Sequence, residues 1–254
     1  MNSMSADDLD RQRRRWRRAR KPLGMVDPTG DQFGLGGLGG RVAGLTFRMV
    51  ILPTDPFAHQ IDFDEGFWKA WMTLKEPGSD RPLSWSMSKC PTSAAAVRCS
   101  PKPSGGWSEF LALDHAGMLD IGCGRETGFH AAPGDAGDRR AGSQFFLLPI
   151  LDRMLVGSEV FAMFAKQLNL SPPFEVSVAL CRTDGACLGR FARGWQEPEH
   201  GFPDERSICH EPNVMLRREI LAASEEWPRS LAESLALQVD NAFESATGRF
   251  RPAR

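Results

Sequence analysis

The sequence lacks an apolar run that could cross a membrane. No stretch of about 18 consecutive apolar residues occurs, so no transmembrane helix is expected. The N-terminal segment is polar and then basic, and no apolar segment behind it resembles a signal peptide. With 41% hydrophobic and 25% charged residues, the composition is that of an ordinary globular protein. We therefore expect a cytoplasmic protein without a membrane partner.

Recognisable catalytic and metal-binding motifs are also absent. The sequence contains no Gly-Lys-Ser/Thr phosphate loop and no arrangement that assigns a nucleophile, a base or an acid. A zinc site drawn from Cys181, Cys187, Cys209 and His210 is disfavoured, because five residues separate the first two cysteines and structural zinc prefers closer pairs. We assign no catalytic residue, metal or cofactor, and we expect a protein that is not an enzyme.

Cysteine is present but scattered, and the chain shows no export signal. This combination favours reduced thiols over a disulfide framework. The six cysteines are Cys90, Cys99, Cys123, Cys181, Cys187 and Cys209.

Positive charge is concentrated near the N-terminus, where eight of eleven consecutive residues are basic. Without residues 1–21 the chain has 23 basic and 29 acidic side chains, a net charge of -6, against -1 for the whole chain. A dense arginine run neutralises phosphates but has no fixed geometry for reading base edges. We predict that any nucleic-acid binding resides here and is not specific for sequence. The basic residues are Arg11, Arg13, Arg14, Arg15, Arg17, Arg18, Arg20 and Lys21.

The hydrophobic pattern predicts an α+β fold, with mainly antiparallel sheets and a few packed helices. Residues 1–43 are expected to be a disordered, basic and Gly-rich tail and linker, and residues 44–254 the folded body. A division of that body into two subdomains, 44–142 and 143–254, is compatible with the pattern. Strands are predicted at 45–52, 83–89, 95–99, 108–113, 118–121, 144–148, 174–181, 187–191 and 214–220, and helices at 64–74, 150–169 and 224–246.

Two turns in this pattern predict hairpins. Asp114-His-Ala-Gly117 joins the strands at 108–113 and 118–121, and Asp184-Gly185 leads from the alternating strand at 174–181 into 187–191. Because cofactor loops belong after parallel strands, a hairpin strand at 118–121 argues against a cofactor loop at its end.

Residues 119–128, Leu-Asp-Ile-Gly-Cys-Gly-Arg-Glu-Thr-Gly, resemble the first motif of S-adenosylmethionine-dependent methyltransferases. Asp120, Gly122 and Gly124 match that motif, but Glu126 stands where the third glycine belongs. A helix should follow such a loop, whereas residues 131–138 are rich in helix breakers. The sequence therefore favours a coincidental strand end. The alternative is a methyltransferase with a degenerate first motif, in which the three matching residues bind the cofactor.

A second resemblance covers residues 174–220. Phe-Glu-Val-Ser-Val-Ala-Leu-Cys-Arg-Thr-Asp-Gly, followed by Cys-His-Glu-Pro-Asn-Val-Met-Leu-Arg-Arg-Glu-Ile, is similar to a region of some bacterial proteins that carry an AlbA-type (Schlafen-like) DNA-binding domain. The resemblance implies a bacterial, non-catalytic accessory or sensor region in a DNA-associated protein. It assigns no DNA-contacting residue to this chain.

Other polar groups are interpreted as structural. Asp62, Asp64 and Glu65 could bind a hard cation, but they are better placed to cap and charge the start of the helix behind them. The loop at 194–212 contains histidines and acids without a spacing that assigns chemistry. Five arginines are expected to form ordinary solvated surface: Arg182, Arg190, Arg193, Arg217 and Arg218.

Overall fold

A computed structural model describes most of the body of the chain. The described residues are 10, 45–54, 61–75, 95–101, 107–124, 130–131, 144–189, 209, 211, 213–222 and 226–243. Apart from Asp10, the predicted tail lies outside them, and so does the predicted strand at 83–89. No helix in the described ranges is long and apolar enough to span a membrane.

The fold is α+β, as predicted, and a six-stranded sheet dominates it. Each neighbouring pair in this sheet is antiparallel, and the strand order is β2-β3-β4-β1-β7-β9. Strands from before and after residue 143 share the sheet, so it joins the two suggested subdomains. Its strands are β1 (Leu45–Pro53), β2 (Ala95–Pro101), β3 (Trp107–Asp114), β4 (Leu119–Gly124), β7 (Phe174–Cys181) and β9 (Asn213–Ile220).

The predicted hairpin between β3 and β4 is confirmed. Asp114 N donates to Met118 O at 3.0 Å, and Gly117 N donates to Asp114 O at 3.1 Å. Gly117 has φ +81°, a conformation that glycine adopts without strain. The Asp114 side chain accepts from the amides of Ala116 and Met118, which further fixes the turn.

The second predicted hairpin is wrong, although its turn is present. A second, three-stranded sheet contains β5 (His130–Ala131), β6 (Gln144–Phe146) and β8 (Cys187–Gly189). In this sheet β8 pairs in parallel with β6, and it does not return along β7. The reason is that both edges of β7 are already occupied, by β1 and by β9.

Three helices complete the described fold: α1 (Glu65–Met72), α2 (Leu147–Gln167) and α3 (Trp227–Ala242). Asp64 caps α1, as predicted, because its side chain accepts from Phe67 N at 2.7 Å. Helix α2 begins three residues before the predicted start at 150, and Pro149 lies within its first turn, where no intrahelical donor is required. Helix α3 begins after the predicted cap, with a proline in its first turn.

The helices cover one face of the large sheet. Helices α2 and α3 pack antiparallel, since Phe161 contacts Trp227 at one end and Phe145 contacts Phe243 at the other. Gly157 permits close approach to the sheet, because a Cβ at this position would lie 2.6 Å from the Ile121 side chain. The main hydrophobic core lies between these helices and the sheet, and we call this side of the sheet the helix face.

The other side of the sheet, here called the second face, is also buried. Val50, Leu52, Phe110 and Ala112 belong to a separate apolar cluster there. Burial on both sides explains why β1, β4 and β7 are buried along their whole length.

Candidate functional site

Asp120 of the methyltransferase-like motif lies on the second face and forms a buried ion pair with Arg48 of β1. Arg48 Nε donates to Asp120 Oδ1 at 3.0 Å, and Arg48 Nη2 donates to Oδ2 at 2.5 Å. The two residues are 2% and 0% exposed. Burial raises the pKa of the Asp120 carboxyl, and the charge and hydrogen bonds of Arg48 oppose that rise. Both carboxylate oxygens are thus engaged within the protein.

Gly122 makes room for an aromatic ring from the neighbouring strand. It pairs with Phe110 on β3 and with Arg48 on β1. A Cβ at Gly122 would overlap the Phe110 ring. The Arg48 guanidinium carbon lies 6.0 Å from the centre of that ring, at the limit of a cation–π contact. This glycine therefore has a packing role that requires no ligand.

Gly124 ends β4 opposite Leu45, and residues 125–129, including Glu126 and Gly128, lie outside the described residues. Strand β4 runs antiparallel to both of its neighbours. A doubly wound cofactor site instead places its loop after a strand of a parallel sheet. The three motif residues thus occur in an antiparallel setting, in which Asp120 and Gly122 have contacts that require no ligand.

Sequence reasoning missed Arg48, the residue that determines the environment of Asp120. A signal was present, because Arg48 is the single charged residue in the mostly apolar segment Leu-Thr-Phe-Arg-Met-Val-Ile-Leu. A charged residue at the centre of a buried strand requires a partner. The sequence does not show which acid would supply it.

Further polar side chains continue along the second face. Arg217 of β9 binds Glu175 of β7 through Nη2 and Oε2 at 2.6 Å. Ser177 lies opposite Arg217 and is 6% exposed. These contacts link neighbouring strands, and their burial decreases toward β9, where Arg217 is 49% exposed.

A second polar cluster lies at one end of the helix face. Glu109 of β3 accepts from Ser100 Oγ at 3.1 Å and lies 3.3 Å from Arg153 of α2. Cys123 pairs with Glu109 across the strands and is fully buried. Burial raises the pKa of the Cys123 thiol to about 12. Because the thiolate is the nucleophilic form, this cysteine is unreactive at neutral pH.

The remaining cysteine and histidine candidates do not converge in the described part of the chain, which contains no group of three or more metal-binding side chains. Cys181 lies in β7 and Cys187 in β8, Cys209 hydrogen-bonds to the turn at Ala186, and His210 is outside the described residues. No disulfide joins the described cysteines, which are Cys99, Cys123, Cys181, Cys187 and Cys209.

His115 has a structural contact. Its Nδ1 lies 2.7 Å from Ile61 O, and its ring stacks on Phe63 at a centroid distance of 4.1 Å. The residue thereby joins the segment before α1 to the turn between β3 and β4.

The predicted nucleic-acid-binding residues lie outside the described residues. Arg11, Arg13, Arg14, Arg15, Arg17, Arg18, Arg20 and Lys21 follow Asp10, which is helical. Of the five arginines expected on the surface, Arg182, Arg217 and Arg218 are described, and all three are exposed.

Comparison of the chain with protein-family models, with curated proteins and with solved structures gives no match. The arguments about function therefore rest on the residues and contacts described above.

Proposed function

We propose that this chain is a non-enzymatic bacterial accessory protein that associates with nucleic acid through its basic N-terminal segment. The observation that carries the proposal is the density of charge at 11–21, where eight of eleven residues are basic while the rest of the chain beyond residue 21 has a net charge of -6. Nonspecific nucleic-acid binding depends on such charge, because each neutralised phosphate releases counterions. The resemblance of residues 174–220 to part of AlbA-type proteins supports the same class, and the cytoplasm is the expected location.

The body has a different role in this proposal. Its charge opposes phosphate binding, and its buried ion pair between Arg48 and Asp120 joins two strands of the sheet. We propose that the body contacts a protein partner or a second copy of the chain, while the basic segment provides affinity for nucleic acid.

An electrophoretic mobility shift assay tests the proposal. We expect the full chain to bind two unrelated DNA duplexes equally at low salt. The logarithm of the affinity should fall against the logarithm of salt concentration with a slope of about -0.9 per phosphate contact. Replacing the eight basic residues by glutamine keeps the chain length and should abolish the shift.

A matched control replaces Asp7, Asp8 and Asp10 by asparagine, which removes negative charge beside the same segment and should strengthen binding. Binding that survives the glutamine replacement would place the site in the body. No shift by the full chain at low salt would refute the proposal.

Calorimetric titration of the unmodified chain with S-adenosylmethionine distinguishes the methyltransferase alternative from the non-enzymatic proposal. Binding of micromolar strength would contradict a non-enzymatic role. Asp120→Ala and Gly122→Val are poor probes of such a site, because the first removes a buried partner of Arg48 and the second overlaps Phe110. Loss of binding in either variant would therefore not identify a cofactor site.

A further inference from the structure

Strand β9 is an edge strand with an exposed C-terminal half. It pairs with β7 on one side, and no strand in the described part of the chain pairs with its other side. Arg217, Arg218 and Glu219 are exposed, and Leu221 just beyond the strand is 74% exposed. An edge strand offers unpaired amides and carbonyls to an added strand.

We propose that β9 pairs antiparallel with β9 of a second copy, about a two-fold axis that passes through Arg218. In this register Arg217 of each copy lies opposite Glu219 of the other, and two opposite-charge pairs form. Directly opposed residues lie on the same face of a sheet, so each pair can make contact. A two-fold axis repeats each contact, as an isologous interface requires.

The apolar residues match in the same register. Leu216 lies opposite Ile220 of the second copy on the helix face, and Met215 lies opposite Leu221 on the second face. Leu221 is the most exposed of the large apolar side chains found on the surface of the described residues. Its pairing with Met215, which is half-buried, would remove it from water.

The neighbouring registers are less favourable. Because opposed residues must share a face, the register changes in steps that move the axis by one residue. Moving the axis to Arg217 places Arg217 opposite its own copy, and moving it to Glu219 places Glu219 opposite its own copy. Like charges directly opposite destabilise strand pairing. The register centred on Arg218 avoids both contacts on the second face. It places Arg218 opposite its own copy on the helix face, where each guanidinium already donates to Ser234 Oγ of its own chain.

Helix α3 also lies at the proposed interface. The Arg218 guanidinium contacts this helix, since its Nη2 donates to Ser234 Oγ at 3.1 Å. A continuous sheet would bring the two α3 helices to the same side. Leu237 of α3 is 43% exposed, and it is the only other large apolar side chain exposed on the elements at this edge within the described residues.

Sedimentation velocity over a range of concentrations tests the register with charge reversals in the full chain. We expect the wild-type chain to dimerise. Glu219→Arg opposes two arginines at two positions and should raise the dimer dissociation constant by about tenfold or more. Arg217→Glu opposes two glutamates at the same two positions and should also weaken the dimer, although it breaks the ion pair with Glu175 within each copy as well. A mixture of these two variants should form heterodimers, because every opposed pair is again of opposite charge.

Asp62→Arg is the control, since it reverses an exposed acid near α1 and should leave the dimer unchanged. Circular dichroism checks that each variant keeps its fold. A wild-type chain that stays monomeric over the whole range would overturn the proposal. A dimer that is unaffected by Glu219→Arg would overturn it equally.

Cysteine crosslinking tests the axis without charge reversal. Cα atoms of directly opposed residues are about 4.5–5.5 Å apart, which suits a disulfide. Arg218→Cys should therefore give a covalent dimer under mild oxidation on a non-reducing gel. In Glu219→Cys the new cysteines would be separated by roughly 8 Å, too far for a bond. Equal crosslinking of the two variants, or none in either, would contradict the register.

Discussion

At the scale of single residues, Arg48 and Asp120 are two opposite charges on a buried face of the sheet. Each charge is tolerated there because the other one is present. The pair has both hydrogen bonds of a bidentate contact, and neither side chain is more than 2% exposed. Such a pair is not in itself strong evidence of stability, because desolvation offsets much of the attraction. Removing one partner is costly, since the other charge stays buried.

We predict that Asp120→Ala lowers the free energy of unfolding by roughly 3–5 kcal/mol. The double variant Arg48→Met/Asp120→Val should be clearly more stable than this single variant, because it buries no charge at either position. Urea unfolding measures both. Glu233→Ala, which breaks the exposed pair with Arg229, is the control and should cost about 0.5 kcal/mol or less. A double variant less stable than Asp120→Ala would show that the charge itself is needed.

Cys123 gives a prediction for alkaline pH. Its thiol pKa is raised from 9.0 to about 12 by burial. Above pH 9 the unfolded chain therefore loses a proton that the folded chain keeps, so stability falls as pH rises toward 12. Between pH 8 and 10 this residue should remove about 1.4 kcal/mol of stability.

The measurement compares urea unfolding of the wild-type chain and Cys123→Ala at several pH values. Because it loses packing contacts, the variant should have a lower free energy of unfolding than the wild-type chain, by a similar amount at pH 6 and pH 8. This difference should shrink at pH 10. A deficit that is constant through pH 10 would mean that the thiol does not titrate as described.

At the scale of elements, the start of α1 depends on a short local contact. Asp64 accepts from Phe67 N at 2.7 Å, and the helix then places Phe67 and Trp71 in the core. We predict that Asp64→Ala destabilises the protein by about 1 kcal/mol, a typical value for a lost cap, while Asp64→Asn has little effect.

Asp62→Ala is the matched control for this cap, because Asp62 is exposed two residues earlier in the chain. Urea unfolding midpoints should separate Asp64→Ala from both other variants. Equal losses for Asp62→Ala and Asp64→Ala would indicate that general negative charge near the helix matters more than the hydrogen bond.

At the scale of the whole molecule, the two proposals concern separate parts of the chain. Nucleic-acid binding is assigned to the segment at 11–21, and self-association to β9. Replacing the eight basic residues should therefore leave the dimer intact. Glu219→Arg should leave nucleic-acid binding by each single copy intact. The failure of one proposal can therefore be recognised independently of the other.

The sequence by itself determined the features that depend on neighbours along the chain. The α+β class followed from its alternating and helical periodicities, the hairpin from Asp114 to Gly117, and the cap from Asp64 before an apolar stripe. Each of these requires only a few consecutive residues to satisfy backbone donors and to turn the chain. Element ends were less well predicted, because Pro149 is tolerated throughout the first turn of a helix.

Tertiary structure decided which distant residues meet. Arg48 and Asp120 are 72 residues apart, and the sequence near either residue does not predict that the other is its partner. The strand after Asp184-Gly185 left the expected hairpin because β1 and β9 already occupy both edges of β7. Gly122 matched a cofactor motif by its spacing, but the ring of Phe110 explains it. Strand pairing brings these groups together, and a local pattern does not encode the order of strands in a sheet.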